Sequence, residues 1–174
     1  IGITFTGKVF HIDWESNISN DYKLDKKSLG NIDPNQIINF HSIKKGIKNY
    51  LCILNSDGRF KKVLFDEDMI QSNRSFAITK LKNNIKTIDS FISNEEKNLI
   101  ILTSIGRIFK FNLSDKFLTP TTKQSRGLML VKLLPTEMIV SCCAHENGEN
   151  IYLISKHGKI FCINTNEIYY AHEC

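Results

Sequence analysis

One pattern recurs four times along this chain and narrows what it can fold into. An apolar run meets a short polar turn closed by glycine, and a second run then alternates apolar and polar side chains. The third copy reads Leu99-Ile100-Ile101-Leu102-Thr103-Ser104-Ile105-Gly106-Arg107-Ile108-Phe109-Lys110-Phe111. The others run from Ile3 to Ile12, Leu51 to Val63 and Ile151 to Ile163. Period-two alternation across a glycine turn is the mark of a β-hairpin. The turn glycine follows from the positive φ that a tight hairpin imposes, so these glycines read as architecture and not as a phosphate cradle.

The four turn glycines, Gly7, Gly58, Gly106 and Gly158, are spaced by 51, 48 and 52 residues. A fixed period of about 50 residues belongs to repeat proteins built of blade-like β units. The residue after each glycine is basic (Lys8, Arg59, Arg107, Lys159). The next is apolar (Val9, Phe60, Ile108, Ile160), and so is the fifth (Ile12, Val63, Phe111, Ile163). Phe10, Phe109 and Phe161 share one offset and read as packing between blades.

Between hairpins, Ile37–Phe40, Phe76–Leu81, Ile85–Ile92, Arg126–Leu133 and Met138–Ala144 read as further strands. They are separated by turns at Asp33–Gln36, Lys82–Asn84 and Leu134–Glu137. Residues 15–28, with Lys23, Lys26 and Lys27, read as a polar surface connection. No stretch of helical length carries a 3.6-residue period. The expected fold is therefore all-β: a propeller-like array of four-stranded blades, with repeats at about 1–48, 49–97, 98–149 and an incomplete 150–174, forming part of one domain and a partial ring.

The net charge of +5 tilts the choice of partner towards polyanions. No apolar run approaches the roughly 18–20 residues of a membrane span, so no membrane partner is expected. The chain opens directly in a strand-like run without a signal-peptide pattern, as if cut through a larger array. Its five cysteines (Cys52, Cys142, Cys143, Cys162, Cys174) form no Cys-x-x-Cys pair, and they read as buried free thiols in a reducing compartment. The histidines His11, His41, His145, His157 and His172 have no metal-ligand spacing. Tyr169-Tyr170 lacks the arginine context of a tyrosine nucleophile. No metal site and no catalytic constellation of nucleophile, base and orienting group is expected.

Two segments resemble a known family. Gly58-Arg59-Phe60-Lys61-Lys62-Val63, preceded by Leu51 to Asp57, is similar to the turn-glycine half-motif of a β-pinwheel blade. Arg126-Gly127-Leu128-Met129-Leu130-Val131-Lys132-Leu133, followed by Met138-Ile139-Val140, is similar to the matching Arg-Gly half. Together they resemble the C-terminal domain of the A subunit of DNA gyrase or topoisomerase IV, type IIA topoisomerases, and the likeness does not separate the two. It implies a β-pinwheel that binds double-stranded DNA along its rim and bends or wraps it beside a cleavage core. The matched basic positions are Lys61, Lys62, Lys110, Arg126 and Lys132, and alignment of the repeats adds Lys8, Arg59, Arg107 and Lys159. No cofactor is expected in this segment; ATP, magnesium and the active site would lie elsewhere in an A2B2-type assembly of topoisomerase subunits.

The chain departs from the family pattern in several places. It has no Gln-Arg-Arg-Gly-Gly-Lys-Gly box, of which Lys123-Gln124-Ser125-Arg126-Gly127 is a faint echo. Leu130 stands where the family prefers glycine, and Lys26-Lys27-Ser28 replaces Arg-Gly in the first repeat. Asp66-Glu67-Asp68 brings acid near Lys61. Richness in isoleucine, lysine and asparagine fits AT-rich coding, hence a bacterial cytoplasm or a plastid-type organelle. The alternative function is a propeller-type protein-interaction module. An even basic rim argues for DNA, whereas an uneven rim with an exposed apolar patch argues for a protein partner.

Overall fold

The computed structural model describes residues 1–12, 29, 31–44, 46–65, 69, 75–93 and 97–171. The polar connection at 15–28, the acidic run Asp66–Asp68, His172 and Cys174 lie outside the described residues. Four hairpins form where the glycine turns are: β1 (Gly2–Thr4) with β2 (Lys8–Phe10), β4 (Asn49–Asn55) with β5 (Arg59–Phe65), β8 (Asn98–Thr103) with β9 (Ile108–Asn112), and β12 (Asn150–Ile154) with β13 (Ile160–Asn164). β3 (Ile37–Phe40), β7 (Thr87–Ser93) and β11 (Ile139–His145) each return to the first strand of their own hairpin.

β6 (Phe76–Ala77) and β10 (Leu128–Met129) do not stay with their own repeat. β6 pairs with β2 of the preceding hairpin, and β10 pairs with β5. The sheets are thus β3-β1-β2-β6, β10-β5-β4-β7, β11-β8-β9 and β12-β13. A blade in space draws its outer strand from the following repeat, so sequence repeats and blades do not coincide. The expected strands at Phe76–Leu81 and Arg126–Leu133 shorten to two residues each for the same reason. Past its ladder pairs, each crossing segment turns over the preceding hairpin: Ile78 N donates to Gly7 O at 2.9 Å, and Leu130 N and Val131 N donate to Gly58 O at 3.1 and 3.2 Å.

This crossing is close, and it fixes two glycines. Gly58 and Gly127 both have φ of +81°. A Cβ on Gly58 would overlap Val131 O, and one on Gly127 would overlap Phe60 O. The Arg-Gly half-motif therefore places a residue without a side chain where one backbone passes over another.

The hairpin register explains the apolar repeat. Side chains six and four residues before the turn glycine and two after it face the next blade. Those seven and five before and five after face the previous one. Ile1, Ile3 and Val9 pack on Leu51, Ile53 and Val63. Cys52, Leu54 and Phe60 pack on Leu99, Ile101 and Phe111. Each such side chain removes surface from water worth about 1.5–3 kcal/mol for a Val, Leu, Ile or Phe. Both faces of a blade are thus apolar, which is why the strands of the second hairpin are buried almost throughout. The same register exposes the far face of the fourth hairpin, where Tyr152, Ile154 and Ile160 are about two-thirds exposed (66, 72 and 66%). Phe10 is buried and Phe109 half-buried against Phe111, but Phe161, at the same offset, is exposed.

Candidate nucleic-acid interface

The returning strands β3, β7 and β11 lie together on one side of the array. Asp89 of β7 joins them: it accepts from Asn39 Nδ2 (2.9 Å), Ser141 Oγ (2.8 Å) and the backbone N of Cys142 (2.9 Å). The crossing strands β6 and β10 therefore form the opposite, outer edge.

Of the nine basic residues expected on the rim, the structure leaves Lys8, Lys132 and Lys159 exposed and Arg126 half-exposed. Lys8 sits on β2 beside β6, and Arg126 and Lys132 flank β10. Lys80 and Lys82, exposed just beyond β6, extend the same edge, with Lys80 N 3.5 Å from Ser125 O. Half-buried Lys123 lies over the Phe76 ring at 4.7 Å. Lys80 stands 52 residues before Lys132, at the same place after its crossing strand, a period that could have found it. Lys82 shares no such offset, and Lys123 enters the sequence reading only within the Lys123–Gly127 echo. What brings them to the edge is strand exchange between repeats.

The other five basic positions depart from the rim expectation. Lys61 is 1% exposed, and its ammonium donates to Ile78 O (2.6 Å), Lys123 O (2.8 Å) and Ser125 O (2.8 Å). It thereby ties the two crossing segments together, and burial draws its pKa down to about 8. Lys62 is 4% exposed and donates to Leu113 O (2.5 Å) and Asp115 Oδ1 (2.6 Å) beneath the Tyr50 ring. Hydrogen bonds from Lys62 and then from Tyr50 hold Asp115 below the usual carboxylate range. Lys110 is 3% exposed and donates to Thr165 O at 2.9 Å. A lysine that alternates into an interface between blades can be buried because backbone carbonyls replace its water. With their donors engaged inside, these three ammonium groups do not face a duplex on the rim.

Arg59 donates from Nη1 to Gly127 O at 3.0 Å and lies 3.5 Å from Asp57, which clasps β10 to β5. Among the described residues, Arg107 has no such outer strand to clasp. It forms a two-pronged ion pair with Glu137 and a bond to Lys132 O at 3.1 Å. Hydrogen bonds from Arg107 hold the Glu137 carboxyl down at about 2. The basic residue after each turn glycine thus splits into two structural arginines and two exposed lysines.

The cysteines divide in the same way. Cys52 and Cys142 are buried free thiols, as the sequence predicts, whereas Cys143 and Cys162 are free but exposed. Burial pushes Cys52 up to about 12.

Four-stranded blades that exchange an outer strand with the next repeat define the class: this is a β-pinwheel. The solved DNA gyrase A C-terminal domain shares it with a TM-score of 0.80 over 98% of this chain and 56% of that one, at 18% identity. The C-terminal domain of DNA topoisomerase IV gives 0.68 over 80% of this chain and 44% of that one, at 19% identity. The ParC C-terminal domain of E. coli gives 0.70 over 96% and 69%, at 14% identity. In sequence, the chain is 26% identical over 117 residues to the A subunit of DNA topoisomerase 4 from Synechocystis sp., covering 62% of this chain and 13% of that protein. No family model matches. The chain thus has the fold of the gyrase A C-terminal domain, and it spans about half that domain's length and a small part of the topoisomerase polypeptide.

Proposed function

We propose that this chain is part of a DNA-binding accessory domain of a type IIA topoisomerase. It holds duplex DNA against its outer edge and bends it towards a cleavage core carried elsewhere in the assembly. The observation that carries this reading is the pinwheel shared with the gyrase A and topoisomerase IV C-terminal domains, with Lys8, Lys80, Lys82, Arg126 and Lys132 gathered along the edge made by the crossing strands. Exposed cations on a curved edge neutralise phosphates and release counterions without reading bases. Bending a short site costs of order 1–6 kcal/mol, so several contacts must act together. The partners would be double-stranded DNA and the other topoisomerase subunits, with ATP, magnesium and the cleavage chemistry in those parts, in a bacterial cytoplasm or a plastid-type organelle.

Two observations favour a protein-interaction module instead: the uneven run of basic residues after the turn glycines, with Arg59 and Arg107 engaged in structural bonds, and the exposed face of the fourth hairpin. The register of that hairpin argues against the module: Tyr152, Ile154 and Ile160 occupy the positions that Cys52, Leu54 and Phe60 bury against the neighbouring blade. They form a blade-to-blade face and not a patch on the outer edge.

The test is binding to a duplex of about 40 base pairs across a salt series. The expected result is sequence-independent affinity, with log K falling by about 0.9 per phosphate contacted for each unit of log salt. No binding at low salt would overturn the proposal.

A further inference from the structure

We propose that Lys62 and Lys110 are positioning residues, whose ammonium groups clasp the second blade to the third and the third to the fourth and so set the angle through which the outer edge turns. Both lie four residues after a turn glycine, on the strand face that looks to the following blade. Lys62 Nζ reaches Leu113 O at 2.5 Å, and Lys110 Nζ reaches Thr165 O at 2.9 Å. Leu113 and Thr165 each lie seven residues after their own turn glycine. Two successive joints therefore use the same clasp: one ammonium grips the same carbonyl of the next hairpin.

The surroundings fit a cation held for its direction. Lys62 also meets Asp115 Oδ1 at 2.6 Å and lies 4.2 Å from the Tyr50 ring centre; Lys110 lies 4.6 Å from that of Tyr170. Aromatic faces and carbonyl oxygens both attract an ammonium in a site closed to water. The apolar faces of a joint resist separation but slide easily, because burial has no direction. A hydrogen bond from a buried donor to one carbonyl fixes where along the interface the two hairpins meet. At the first joint the equivalent residue is half-exposed His11, so the device belongs to the second and third joints. This role rests on the proposed function in one respect: the edge that these joints orient is the one taken to bind duplex DNA.

The test has an arm without DNA and an arm with it. With Cys174 replaced by serine, spin labels go on exposed Cys143 and Cys162, which belong to the third and fourth blades on either side of the Lys110 joint. Lys110→Met, with strand content unchanged by circular dichroism, is expected to widen the label-to-label distance distribution at least twofold. Lys62→Met, at the other joint, is expected to leave it unchanged. An unchanged distribution in Lys110→Met would overturn the clasp, whether or not the chain binds DNA. If Lys110→Met does not fold, Lys110→Gln keeps a donor on a shorter stem and takes the same measurement. On an end-labelled duplex, both Met variants are expected to lower the energy transfer that reports bending while leaving the salt slope of binding intact. A slope reduced by about 0.9 per lysine would make them phosphate contacts and overturn the assignment. Absence of binding by the unmutated chain would instead sink the DNA reading, with the spin-label result still deciding the clasp.

Discussion

Replacing Gly127 by alanine tests the crossing on which the strand exchange depends. Its φ of +81° costs an alanine about 1–2 kcal/mol in left-handed strain. The new Cβ would also overlap Phe60 O and press on Lys61 Cβ at 3.1 Å. Relief requires β10 to lift from β5, weakening the Arg59–Gly127 bond, worth about 1 kcal/mol. The sum is about 2–3 kcal/mol, which for a chain of this size lowers Tm by roughly 4–12 °C. Gly158→Ala is the control: its φ is +77°, but nothing lies within 4 Å of the added Cβ. It should cost only the strain, about 1–2 kcal/mol, and roughly 2–8 °C. Thermal melts and urea midpoints of the two variants separate the terms. Equal losses would show that Gly127 is needed for its turn alone and that the close passage of backbones contributes nothing.

Two further outcomes follow from groups whose environment is now defined. The Glu137 carboxyl, held at about 2 by Arg107 against an ordinary 4.5, stabilises the fold above pH 4.5, and that stabilisation fades as pH falls towards 2. Urea midpoints of the unmutated chain should therefore drop more steeply below pH 4.5 than those of Glu137→Gln; parallel curves would mean that the pair adds no acid sensitivity. In the Cys174→Ser background a thiol reagent should modify Cys143 and Cys162 quickly and reach Cys52 and Cys142 only on unfolding. Equal rates at all four would contradict the blade packing around Cys52 and Cys142.

The hairpins and their period were legible in the chain because glycine turns and alternation are local signals. The offsets marked the second and fifth residues after the turn glycine as apolar; the structure adds that the second faces the next blade and the fifth the previous one. The strand exchange was not legible. Whether Leu128 pairs with its own hairpin or with Phe60 depends on which edge is free, and nothing in a two-residue strand states that. The roles of the basic residues were hidden for a related reason. Lys110 alternates with Phe109 and Phe111 as a solvent-facing lysine does, and the adjacent Lys61 and Lys62 put a charge on each face of β5, but here both faces of the strand are covered. Burial then turns a charge that looks available into one held by carbonyls. The resemblance pointed to the fold and implied a place on the rim for these lysines, whose side chains the structure buries between blades. The outer edge also gathers Lys82 and Lys80; Lys80 repeats the place of Lys132 one period earlier and meets Ser125, beside Arg126, where the two crossing segments adjoin.

The decisive measurement is the salt slope of duplex binding for two triple variants, compared with the unmutated chain. Lys8→Gln/Lys80→Gln/Lys132→Gln removes exposed cations of the outer edge and should lower the slope by about 2.7, at roughly 0.9 for each phosphate no longer neutralised. Lys61→Met/Lys62→Met/Lys110→Met removes the same formal charge from inside the blades and should leave the slope unaltered in whatever fraction remains folded. The reverse result, with the slope falling only when the buried lysines are changed, would contradict the assignment of the DNA-facing edge.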